Sequence, residues 1–135
     1  MDLATSRYAA RSVILQSGRL PIGITLGNPR WPLGYALVCN IRALAPTRAM
    51  FGLPSDVFEQ TYWARLDELG VDAIRTLLQE RCHDAGNNRL VLLCFEDLHE
   101  PGKSCHRRIF ASWWQEKTGE VVPELEPDVR QSRLF

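Results

Sequence analysis

The chain has 135 residues, of which 45% are hydrophobic, 24% charged and 9% aromatic, with sixteen Lys and Arg balanced by sixteen Asp and Glu. This suits one globular domain and excludes a disordered, highly charged chain. The zero formal charge excludes a globally basic nucleic-acid module, and no apolar run approaches the roughly 20 residues that span a bilayer.

The N-terminal Met1-Asp2-Leu3-Ala4-Thr5-Ser6-Arg7 lacks the apolar core of a signal peptide, so a cytoplasmic location is expected. A short strand is expected near residues 2–6. Residues 9–18 fit either a helical turn or a loop ending at Gly18. Leu20 to Leu26 alternates and is β-branched, which predicts a strand closed by the turn Gly27-Asn28-Pro29. Arg30-Trp31-Pro32-Leu33-Gly34 follows as a loop, and Tyr35 to Ile41 fits a strand or a short helix.

Two helices come next. Ser55 is the expected N-cap of the first, whose Phe58, Tyr62, Leu66 and Leu69 form one stripe before Gly70. Asp72 is the expected cap of the second, with Ile74, Leu77, Leu78 and Cys82 on one face and Gly86-Asn87-Asn88 at its end. Leu90-Val91-Leu92-Leu93-Cys94-Phe95 is a continuous apolar run, the mark of a strand covered on both faces. A polar loop, Asp97 to Lys103, leads to a last helix capped by Ser104, with Ile109, Phe110 and Trp113 inward and Gly119 at its end. Val121-Val122 is a candidate edge strand, and the tail from Pro123 is expected to be peripheral.

Alternating strands and helices predict a single three-layer α/β domain over residues 1–125, with a mostly parallel central sheet flanked by helices and a tail at 126–135. In such folds ligands sit beyond the carboxyl ends of the strands. There Cys94 and Glu96 share a face of the core strand, and Ser104, Cys105, His106, Arg107 and Arg108 lie at the helix start. Free backbone N–H groups, the helix dipole and a guanidinium suit an anion, and a thiol there is drawn toward the thiolate. In an enzymatic version Cys105 is the nucleophile and His106 and Glu96 are acid–base groups, with Cys94, Ser104 and Arg107 binding ligand. Adjacent helical residues point about 100° apart, which disfavours direct proton sharing between Cys105 and His106. The competing reading is a buried hydrogen-bond network of the same residues, in a protein that works as an adaptor.

A second candidate segment is Gly27-Asn28-Pro29-Arg30-Trp31-Pro32. Gly27 permits close backbone approach, Arg30 offers a fork of donors and Trp31 a stacking surface, together suiting a nucleotide-like or phosphorylated small molecule. The bland alternative is a rigid turn with Trp31 covering the core. Fourteen of the sixteen basic residues are arginine, consistent with GC-rich codon usage or with bidentate anion recognition. Nucleic-acid binding would need Arg7, Arg11, Arg30, Arg42, Arg48, Arg107 and Arg108 on one face. Four cysteines are too few for a disulfide scaffold, so the thiols are expected to be reduced. The pairs Cys82-His83 and Cys105-His106 lack the spacing of zinc knuckles, so no metal site is expected. No cofactor is indicated, and the sequence leaves open whether the protein is an enzyme.

Leu90-Val91-Leu92-Leu93-Cys94-Phe95-Glu96, then Cys105-His106-Arg107-Arg108 and Trp113-Trp114, resemble the C-terminal signature of the family called domain of unknown function 488. Thr5-Ser6-Arg7-Tyr8, Ile24 to Trp31 and Thr118 to Leu125 are similar to other segments of that family. The resemblance runs from about residue 3 to residue 125, with Thr25 where serine is common. It implies a small intracellular bacterial or phage α/β domain and marks Cys94, Glu96, Cys105, His106, Arg107, Gly27, Pro29 and Trp31. It implies no reaction.

Overall fold

A computed structural model describes residues 1–95 and 105–126. The strands are β1 (Asp2–Arg7), β2 (Leu20–Gly23), β3 (Cys39–Asn40) and β4 (Arg89–Cys94). The helices are α1 (Arg11–Ser17), α2 (Ser55–Leu69), α3 (Val71–Ala85) and α4 (His106–Thr118), with 3-10 turns at Arg42–Leu44 and Arg48–Gly52. The strands form one parallel sheet in the order β1-β4-β2-β3. The chain is therefore a three-layer α/β domain, as its strand–helix alternation predicts.

β4 occupies the interior, pairing with β1 from Asp2↔Arg89 to Arg7↔Cys94 and with β2 from Leu20↔Leu90 to Gly23↔Leu93. Leu90 and Leu92 join Leu3, Ile22 and the buried faces of α2, α3 and α4 in the larger core. Val91 and Leu93 face the other way, onto Tyr8, Ala10 and Ile14, with Leu33, Tyr35 and Leu37 beside them. Both faces are covered, so neither needs polar residues, which explains the unbroken apolar run. Among the described residues no helix is long and apolar enough to cross a membrane.

The differences from the sequence reading have local causes. Residues 9–18 resolve as helix α1, which buries Ile14 and ends at Gly18 in the left-handed region. β2 stops at Gly23, three residues early. The Ile24 amide still bonds Leu93 O at 3.0 Å, but the Thr25 amide turns to Asn40 Oδ1 at 2.9 Å. Of residues 35–41 only 39–40 pair as strand; Tyr35 and Leu37 instead pack over the α1 side of the sheet. Pro54, not Ser55, occupies the N-cap of α2, and Gly70 rather than Asp72 opens α3. Gly70 has φ +84, a conformation that costs glycine little, so it can end one helix and begin the next. The N-cap of α4 is Cys105; Ser104, expected there, lies outside the described residues.

The C-terminal segment departs most. Val121-Val122 form no strand, and residues 123–125 are not peripheral. The Thr5 amide donates to Pro123 O at 2.8 Å, the Leu125 amide to Thr5 O at 2.7 Å, and Thr5 bridges Glu124 in parallel. β1 is an edge strand with unpaired backbone groups, and this segment satisfies some of them.

Candidate functional site

The carboxyl ends of β1, β2 and β4 converge with the start of α4, where the sequence placed a site. Cys94 ends β4 on the face of Leu90 and Leu92, toward α4. Cys105 caps α4 in an extended conformation, φ −124 and ψ 139. The two are joined by a disulfide, with Cα atoms 7.4 Å apart. This corrects the expectation of reduced thiols at these positions: the end of β4 and the cap of α4, eleven positions apart in sequence, are covalently joined. Cys39 and Cys82 are free.

His106 is only 4% exposed, and its Nε2 lies 2.5 Å from the Ile24 carbonyl oxygen. A carbonyl can only accept, so Nε2 carries the proton and Nδ1 presents its lone pair. Nδ1 is 4.0 Å from Cys105 Sγ. Cys105 is the extended cap rather than a helical residue, which brings its Sγ to the edge of the imidazole, but as a disulfide sulfur it has no proton to share with His106. Tyr62 of α2 packs edge-on against the His106 ring at 5.5 Å. Burial drives the His106 pKa down to about 4, the Ile24 carbonyl opposes this, and the Arg107 charge adds to it. His106 is therefore neutral near pH 7 and a weak base for proton abstraction there.

Arg107 is 1% exposed. Its Nε donates to Glu124 Oε1 at 3.0 Å, its Nη2 to Glu124 Oε2 at 2.9 Å and its Nη1 to Cys94 Sγ at 2.8 Å. Thr5 Oγ1 also donates to Glu124 Oε1, at 2.7 Å. The guanidinium assigned to a ligand anion is thus engaged by the chain's own carboxylate, and it is withdrawn from any basic surface. Glu124 was missed because it lies in the segment read as peripheral.

Gly27, Arg30 and Trp31 are exposed, Trp31 by 45%. The Trp31 ring centroid is 5.8 Å from that of Phe95, and Phe95 is 4.8 Å from Tyr8 of the α1-side cluster. Both candidate segments lie at the carboxyl edge, but the tip of β4 divides them: Cys94 faces α4, while Phe95 and Trp31 gather on the side of Tyr8. Glu96 lies outside the described residues.

The turn after β2 holds a polar cluster that the sequence did not reveal. Thr25 Oγ1 donates to Gly27 O at 2.8 Å, so the Tyr8 hydroxyl, 2.7 Å away, is the donor to Thr25. Asn40 Nδ2 donates to the same oxygen at 3.3 Å. Burial raises the Tyr8 pKa, partly offset by the Thr25 bond. A Cβ on Gly23 would overlap the Tyr8 hydroxyl and the Asn40 amide. Gly23→Ala is therefore expected to cost about 1–3 kcal/mol in urea unfolding; wild-type stability would contradict this packing.

The chain matches no protein-family model, no curated protein and no solved structure.

Proposed function

We propose that this α/β domain is a thiol-redox protein in which Cys94 and Cys105 alternate between disulfide and dithiol. The observation that carries the reading is the Cys94–Cys105 bond with the Arg107 guanidinium 2.8 Å from Cys94 Sγ. A guanidinium beside one sulfur and a helix start beneath the other both favour thiolates over thiols. The motif resembling domain of unknown function 488 contributes both cysteines, and its His and Arg flank them.

Both sulfurs are buried, so the oxidant that suits them is small, of the peroxide class. The Cys105 thiolate attacks one peroxide oxygen and hydroxide leaves, giving a sulfenic acid. The Cys94 thiolate then attacks the Cys105 sulfur, forming the S–S bond and releasing hydroxide. The thiol protons neutralise both hydroxides, so two thiols and hydrogen peroxide yield one disulfide and two waters. Two equivalents of a low-molecular-weight thiol restore the dithiol by exchange. His106 Nδ1 orients the Cys105 thiol as a hydrogen-bond acceptor.

Reduced protein treated with one equivalent of hydrogen peroxide should lose two of four thiols, with Cys94 linked to Cys105 in peptide maps and Cys39 and Cys82 still alkylatable. Cys94→Ser should leave a sulfenic acid on Cys105 that dimedone traps. Equal oxidation of Cys39 and Cys82, or no preference for the pair, would overturn the reading.

A second reading rests on the neighbouring aromatic rings of Trp31 and Phe95, exposed by 45% and 41%, with exposed Arg30 on the same loop. They suit stacking of a nucleotide-like ligand whose phosphate meets Arg30. A nucleotide that raises the wild-type melting temperature but not that of Trp31→Ala would support it; equal shifts in both would discard it.

A further inference from the structure

We infer that, once reduced, Cys94, Cys105 and His106 supply three ligands to a thiophilic divalent cation of the zinc class. The inference rests on the reading that the cysteine pair reaches the dithiol state. Among the described residues these three place two sulfurs and a ring nitrogen within 4.8 Å of one another, all buried. Zinc–thiolate and zinc–imidazole bonds of about 2.3 and 2.0 Å put ligand atoms within that span. Two sulfurs and one imidazole form a donor set that suits zinc.

Four further features fit an ion rather than packing alone. His106 already donates Nε2–H to the Ile24 carbonyl, the outer-shell bond that fixes a metal-binding imidazole, and Nδ1 is the nitrogen left facing Cys105. Arg107 Nη1 donates to Cys94 Sγ, as outer-shell donors do to ligating thiolates. Among the described residues the charges also match: two thiolates balance the dication, and Glu124 pairs with Arg107. The Cα separation of 7.4 Å also suits two thiolates that share an ion, with sulfurs about 3.8 Å apart.

The site and the redox reading then interlock. Disulfide formation removes both thiolate ligands, so peroxide would expel the cation, and a bound cation would slow oxidation of the pair.

The test uses the full chain with Cys39→Ser and Cys82→Ser, reduced and handled without oxygen, with cobalt(II) as probe. One equivalent should bind, with thiolate-to-cobalt charge-transfer absorption in the near ultraviolet, at an intensity set by two thiolates, and tetrahedral bands in the visible. Zinc should displace it, and one equivalent of peroxide should release it. His106→Gln keeps a donor for the Ile24 carbonyl and should weaken binding by about tenfold or more. Circular dichroism of the metal-free variant checks its fold. If it does not fold, the charge-transfer intensity of the parent decides between two thiolates and none.

A reduced chain that shows two free thiols at 94 and 105 but no such absorption would overturn the inference and leave the redox reading standing. Absorption that survives Cys94→Ser with Cys105→Ser would assign the metal elsewhere and overturn it. A pair that never cycles between disulfide and dithiol would instead defeat the redox reading itself.

Discussion

Glu124→Ala is expected to lower the free energy of unfolding by about 3 kcal/mol at pH 7, read from urea titrations followed by circular dichroism. The Arg107 side chain is 1% exposed and that of Glu124 21%, so the mutation strips the carboxylate from a guanidinium with little access to water. Removing one member of a buried ion pair costs far more than the intact pair contributes, because the remaining charge stays desolvated. Thr5 Oγ1 loses its acceptor as well, and the bridge from Thr5 to the C-terminal segment loosens. Glu124→Gln should fall between wild type and Ala, since an amide oxygen still accepts. The internal comparison is Arg89→Ala, whose contact with Asp2 is 4.0 Å long and half exposed. Such surface pairs contribute about 0–1 kcal/mol, and the variant should stay within that range. If Glu124→Ala costs no more than Arg89→Ala, the Arg107 pair does not hold the C-terminal segment to the sheet.

Stability should also fall by about 3 kcal/mol as pH drops from 6.5 to 4 because of His106 alone. The imidazole titrates near 6.5 in the unfolded chain and at about 4 in the folded one. Between those values the unfolded chain binds more protons, so acid favours unfolding; above 6.5 and below 4 the effect is flat. Burial is the dominant cause, and the Ile24 carbonyl only partly offsets it. Asp67 and Glu120 also have lowered pKa values, through bonds from Trp113 and Trp114. Their acid-linked losses begin only where free carboxylates protonate, about pH 4 and below, so the upper part of the window isolates the histidine. His106→Gln should flatten the pH 5–6.5 region of the stability curve. A wild-type curve that is already flat there would mean that His106 charges inside the fold without penalty.

Local pattern carried much of this structure. The apolar stretch from Leu90 to Cys94 could be placed at the centre of a parallel sheet because both faces must be dry. The 3.6-residue stripes of α2 and α3, and the inward Ile109, Phe110 and Trp113 of α4, are where their spacing puts them. The carboxyl edge of the strands also follows from topology, and Cys94, Cys105, His106 and Arg107 do gather there. Their partners did not follow. Arg107 looked available for a ligand because nothing nearby in sequence opposes it, yet its carboxylate is seventeen residues on, in a stretch without strand or helix periodicity. The Trp31 segment and the cysteines both follow strands and lie at the same edge, but the pleat of β4 sets Cys94 toward α4 and Phe95, with Trp31 against it, toward Tyr8.

From the chain order of its residues alone, this protein's layer architecture, its interior strand and the helix faces that cover it were determined, because periodicity encodes which side of each element avoids water. Tertiary structure alone decided that Glu124 reaches Thr5 across 119 residues, that Cys94 meets Cys105, and that Ile24 fixes the His106 tautomer. Those contacts depend on how a strand edge, a helix cap and a returning segment meet in space. Charge pairing and hydrogen bonding act over a few ångströms, and no local periodicity specifies which distant residue will stand there.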